Sequence, residues 1–177
     1  MILMKHFIKF FSISILLLFS TTLLAEEKIV VLDLKYVLNQ SKAGKGAQDF
    51  MKKSYNDNIK KFQEIEKGLK KEEEDLLAKK TILSKEEYTK KSDSLRKKVI
   101  DYKSERRTAL DKITTQRAES RDTLIKSIDP ILLEYIKEND ISVVLKKAGT
   151  LGGNPKNDIT KIITEKLDKV LPSLDLK

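Results

Sequence analysis

The sequence predicts an α+β fold in which a long antiparallel helical hairpin, a coiled-coil tentacle, is inserted between the strands of a small β body that oligomerises. Two observations carry this expectation. Two strongly charged stretches, Lys42 to about Lys80 and Ser84 to about Ser127, hold sparse apolar residues at seven-residue spacing, the pattern of helices that pair along a narrow seam. Two short β-branched runs bracket them. Strand, helix, helix and strand in that order place the body at residues 26–41 and 129–177 and the arm at 42–128, with its tip near 81–84.

Residues 1–25 have the pattern of a secretory signal peptide. Lys5 and Lys9 give a positive start, Phe7 to Leu24 is apolar apart from a few hydroxyl residues, and Ala25 precedes the acidic pair Glu26 and Glu27. Cleavage after Ala25 is the reading adopted. Its alternative is a retained anchor, since the apolar run is nearly long enough to span a bilayer. Either way the rest of the chain is expected on the far side of the membrane, released or tethered.

The next run, Lys28 to Leu34, is rich in apolar and β-branched residues and reads as a strand. In the first arm, Tyr55, Phe62, Leu69, Leu76 and Leu83 recur every seven residues, with Ile59 opening a second column that continues in polar residues. Thr81 to Ser84 forms the turn. The Ser84 hydroxyl caps the second helix, and Glu87, three positions on, completes a capping box. Tyr88, Leu95, Tyr102 and Ala109 form the answering column, flanked by Val99 and Ile113 and interrupted by Arg106. A seam so thin removes few apolar groups from water, so the arm is expected to be weakly held and able to bend. Gly68 adds a soft spot of about 1 kcal/mol relative to alanine.

Ile141 to Leu145 repeats the strand character on the far side of the hairpin. Gly149 to Asn157 is rich in turn residues, with room for a short third strand around Thr150 and Leu151. An amphipathic helix from Ile159 to Leu171 closes the chain, with Asp158 as its N-cap. A body this small buries only a modest core in a monomer, which favours association through the sheets.

Composition narrows the chemistry. The chain has no Cys and no Trp, and its one His, His6, lies in the leader. Disulfide staples, thiolate or imidazole metal sites and histidine-based nucleophile systems are therefore excluded after cleavage. No cofactor, metal or enzymatic activity is expected. Between Lys42 and Ile128 there are 24 basic and 16 acidic residues, so the arm carries the positive field of the molecule. That field attracts acidic chains and anionic membrane lipids over about a Debye length.

Nearly the whole chain beyond the leader resembles the Skp/OmpH periplasmic chaperones of Gram-negative bacteria. The resemblance rests on the first strand with its aspartate (Lys28 to Gln48, including Asp33, Val37, Leu38 and the Ser41-Lys42-Ala43-Gly44 turn), the basic hairpin, the returning strand Ile141 to Gly149, and Asp158 to Thr160. It implies a trimer whose three tentacles enclose a cavity, holding unfolded outer-membrane proteins without ATP. The stretch Thr150 to Asp158 departs from the family's clearer strand at that place. Basic residues in some members have suggested a lipopolysaccharide site, but no separate cluster here corresponds to one.

Candidates for electrostatic capture are Lys79, Lys80 and Lys85 near the tip, with Lys90, Lys91, Arg96, Lys97 and Lys98 along the flank. A merely solvated surface is the alternative for each. Phe50, Met51 and the aromatics of the columns are assigned to hairpin packing. An envelope-bridging coiled coil is the rival reading for the chain. A nucleic-acid-binding one is disfavoured, because the aromatics fall on packing columns and export removes the chain from cytoplasmic DNA.

Overall fold

The computed structural model describes residues 27–176, so the leader lies outside the described residues. The arrangement is α+β: a two-stranded sheet with helices packed around it. Strand β1 (Lys28–Leu32) ends where the Asp33 carboxylate accepts the Tyr36 amide at 2.9 Å and caps a short helix, α1 (Leu34–Gln40). Ser41 serves both neighbours. Its amide donates to the Val37 carbonyl, closing α1, and its hydroxyl accepts the Gly44 amide at 3.2 Å, opening the first long helix, α2 (Lys42–Ala78). Gly44 is required at this corner, because a Cβ there would stand 1.9 Å from the Leu38 carbonyl oxygen. The absence of a side chain lets α2 start against the end of α1.

The second long helix, α3 (Lys85–Glu138), runs well past the expected end near Ile128 and passes through Pro130. An internal proline costs about 3 kcal/mol. Burial opposes that cost: Leu124, Ile128 and Ile131 enter the body core, and Leu132, Tyr135 and Ile136 pack against it. The helix stops at Asn139 and Asp140, where Asp140 takes a positive φ of 50°. Asp is one of the few residues other than glycine that tolerate this conformation in place. Lys28 ties the corner to β1 by donating to the Asn139 carbonyl at 3.1 Å.

Strand β2 (Ile141–Lys146) pairs with β1 in parallel, Ile29 opposite Val143 and Leu32 opposite Lys146. Parallel partners need a long crossover, and here the whole hairpin is that crossover. The third strand expected around Thr150 and Leu151 does not form. A 3₁₀ turn at Lys147–Gly149, exposed Leu151 and a second 3₁₀ turn at Pro155–Asn157 fill the interval. Beside β1 there is a single bridge between Val31 and Asp158, with the Ile159 amide donating to the Val31 carbonyl at 3.0 Å.

The last helix, α4 (Thr160–Val170), starts one residue later than expected, and Asp158 is not its N-cap; Ile159 occupies that position. Ile159 is drawn inward as a buried core residue. Asp158 stands just outside, where its carboxylate accepts the Thr160 amide at 2.9 Å and the Lys147 ammonium at 2.6 Å. Burial opposes its ionisation, but Lys147 and Thr160 outweigh it and hold its pKa at about 2. The body core gathers Val30 and Leu32 of β1, Val37 of α1, Ile141 of β2, and Ile163 and Leu167 of α4 around the base of α3. Among the described residues, no helix is long and apolar enough to cross a membrane.

Candidate functional site

The arm is the candidate site, and its interior determines what its surface offers. In α2 the inward stripe runs Ala47, Met51, Ser54, Asn58, Phe62, Ile65 and Leu69, all buried or half-buried. This spacing repeats after eleven residues rather than seven, which suits a nearly straight helix. Two positions on the stripe are polar, so hydropathy hides them. Tyr55 and Ile59, expected in the packing columns, therefore rotate outward and are 47% and 37% exposed.

At mid-arm the buried Phe62 ring meets Tyr102 edge to face, with centroids 5.9 Å apart, and the Tyr102 hydroxyl donates to Glu66 at 3.4 Å. Leu95 is buried farther out, and Ile113 is buried at the root with Ala47 and Met51. Leu69, Leu76, Leu83, Tyr88 and Val99 are half-buried. Between mid-arm and tip a half-open groove of about 600 Å³ runs along the two helices, lined by apolar residues and by Glu66, Glu73 and Arg96. At the tip, the Ser84 hydroxyl accepts the Glu87 amide at 3.2 Å and the Glu87 carboxylate accepts the Ser84 amide at 3.1 Å. The Ser84 hydroxyl also donates to that carboxylate at 2.7 Å, and this bond, then the one from the Ser84 amide, with Lys91 nearby, lower the Glu87 pKa.

All eight cationic candidates are exposed, but they are not equivalent. Lys98 bridges to Glu72 across the hairpin at 2.6 Å, and Arg96 pairs with Asp93 on its own helix at 3.3 Å. Lys79, Lys80, Lys85, Lys90, Lys91 and Lys97 form no salt bridge among the described residues. The same stretch of the arm, residues 77–100, also carries apolar groups that the column reading did not single out for contact: Leu77, Ile82 and Ile100 are 57%, 78% and 59% exposed. Their signal was available, since all three fall off the seven-residue columns. Unpaired cations and exposed aliphatic side chains therefore share the distal arm. Among the described residues no cluster of His, Cys, Asp or Glu could hold a metal ion.

The family model for outer membrane protein (OmpH-like) matches residues 28–167, spanning both strands, the whole hairpin and most of α4. The chain belongs to the OmpH family. Members of that family are chaperones rather than enzymes and generally bind unfolded outer-membrane proteins. The family supports a periplasmic chaperone role for this OmpH-like chain, and residence in the periplasm is consistent with it. Among solved structures, the fold is similar to that of a candidate outer membrane chaperone (OmpH-like) from Caulobacter crescentus CB15, with a TM-score of 0.79 at 16% identity, over 85% of this chain and 89% of that one. At that identity the likeness speaks for the fold. No curated protein sequence matches the chain.

Proposed function

We propose that this OmpH-like chain is an ATP-independent holdase, exported by a cleaved signal peptide, that binds unfolded outer-membrane β-barrel proteins between its arms and keeps them from aggregating. The body associates, as a trimer, and the arms of the copies enclose a common space. The observation that carries this reading is the composition of the distal arm, where exposed lysines without a salt bridge among the described residues and exposed Leu77, Ile82 and Ile100 fall within one stretch, residues 77–100. Lysines draw in an acidic or amphipathic chain from a distance, and isolated aliphatic groups hold it by short contacts. Many weak contacts give avidity while leaving each one quick to break, as release requires. The same positive field brings the arms to anionic membrane lipids.

The outer faces of the strands suit association. Ile29 opposite Val143, and Val31 opposite Leu145, form an apolar patch on the sheet, with Ile29, Val143 and Leu145 each more than 40% exposed.

The test dilutes a urea-unfolded β-barrel protein into buffer with the purified mature chain and follows light scattering without ATP. Suppressed aggregation at one trimer per client is expected. Aggregation as fast as for the client alone, across several clients and salt concentrations, contradicts the proposal and leaves the bridging coiled coil standing.

A further inference from the structure

A second cleft, distinct from the distal arm surface, lies where α1, the root of α2 and the Ile113–Leu124 stretch of α3 converge, with a volume of about 1020 Å³. Its floor is apolar: Leu38, Ala47, Met51, Ile113 and Leu124 line it. Its rim carries Lys35, Lys52, Arg117, Arg121 and Lys146 against Asp33 and Asp49. All five cations are exposed, and none forms a salt bridge among the described residues. Asp33 is occupied in capping α1. Arg117 and Arg121, one helical turn apart on α3, present two guanidinium forks on one face, a geometry suited to carboxylates.

The chain itself shows what this root accommodates. Beyond α4 the non-helical tail places Leu174 and Leu176, on either side of Asp175, against the cluster of Ala47, Met51 and Ile113, on which Phe50 also packs. Three residues of that cluster also form the cleft floor. A segment with apolar side chains at two-residue spacing thus already packs against residues that also line an open cleft, whose rim cations form no salt bridge among the described residues. The cations come from α1, α2, α3 and the end of β2. Charge spread over four elements fits carboxylates distributed along a peptide better than the single headgroup of an amphiphile.

We propose that the arm-root cleft binds a non-helical peptide segment in which apolar residues alternate with acidic ones. Its apolar side chains fill the floor over Met51 and Ile113, and its carboxylates meet Arg117 and Arg121. Identifying that segment as part of a client rests on the holdase reading, whereas binding of the peptide itself does not.

The probe is a fluorescein-labelled decapeptide alternating leucine with aspartate, titrated against the full mature chain and followed by anisotropy. Saturable binding is expected, weakened at least tenfold by the double variant Arg117→Glu and Arg121→Glu. The variant Lys161→Glu and Lys169→Glu, which makes the same charge change on α4 outside the cleft, is expected to shift binding less than twofold. Matching circular dichroism spectra establish that both variants are folded. Equal loss in both variants, no loss in either, or displacement of the peptide by dodecanoate at lower concentration than by unlabelled peptide overturns the proposal. A chain that suspends an unfolded β-barrel but does not bind the decapeptide also overturns it and leaves the holdase reading intact. Arg-dependent peptide binding by a chain that suspends no client supports the cleft and refutes the holdase reading.

Discussion

Substituting alanine at two glycines of the same helix should have opposite effects, and the structure gives the reason for each. At Gly44 the new Cβ would lie 1.9 Å from the Leu38 carbonyl oxygen and 2.9 Å from both the Leu38 carbonyl carbon and the Ser41 hydroxyl. Two of these obstacles are backbone and cannot rotate away, and Val37, Ser41 and Ala43 around them are all fully buried. The root of α2 must move by more than 1 Å to restore ordinary contact. Overpacking of this kind costs about 3 kcal/mol, and the better helix propensity of alanine returns about 1 kcal/mol. Gly44→Ala should therefore destabilise by about 2 kcal/mol. At Gly68 nothing lies within 4 Å of the added atom, so Gly68→Ala should stabilise by up to about 1 kcal/mol. Urea unfolding followed by far-ultraviolet circular dichroism, at one fixed protein concentration because association contributes to stability, reads both. Equal midpoints for the two variants would refute the packing argument at the α1–α2 corner.

Two further outcomes follow from the same geometry. Asp158, whose side chain is 24% exposed, has its pKa lowered from 3.8 to about 2 on folding. Its contribution of about 1–2 kcal/mol is full above pH 4 and disappears as pH falls towards 2. The stability difference between wild type and Asp158→Asn should shrink over that window, and a gap constant with pH would count against the Lys147–Asp158 bridge. Phe62→Ala should weaken the arm locally, by about 3 kcal/mol, the low end for this substitution because the emptied seam can partly collapse. Hydrogen exchange should then accelerate in α2 and α3 around mid-arm while β1 amides keep their protection. Equal acceleration in both regions would show the arm and body to be one cooperative unit.

The strands, the hairpin and its tip were legible because each carries a local signal: β-branched runs, apolar spacing, and a serine followed three residues later by a glutamate. What escaped was set by tertiary contact. Helix α1 is seven residues long, too short to show periodicity, and its first residue, Leu34, reads as a continuation of the apolar strand. The extension of α3 was masked by Asp129-Pro130, a sequence that signals a stop until the buried face of Leu124, Ile128 and Ile131 is taken into account. Tyr55 and Ile59 follow a seven-residue rule, whereas the inward stripe of α2 passes through Ser54 and Asn58. Asp158 has the chemistry of a cap, but the pairing of Val31 with its backbone draws Ile159 into the core and moves the cap position on by one. Exposure of Leu77, Ile82 and Ile100 follows from the same columns, since all three fall off them, but which lysines lack a salt bridge emerges only in the folded hairpin.

Where a nonnative chain sits on the molecule can be read directly by placing a photo-crosslinking amino acid at Ile82 or Ile100 on the distal arm and, separately, at the exposed Leu133 on the basal part of α3. The holdase reading requires an unfolded β-barrel protein to crosslink from both arm positions and to be at least several-fold weaker from Leu133. Crosslinks concentrated at Leu133, or none from the arm under conditions where the client stays soluble, would contradict it.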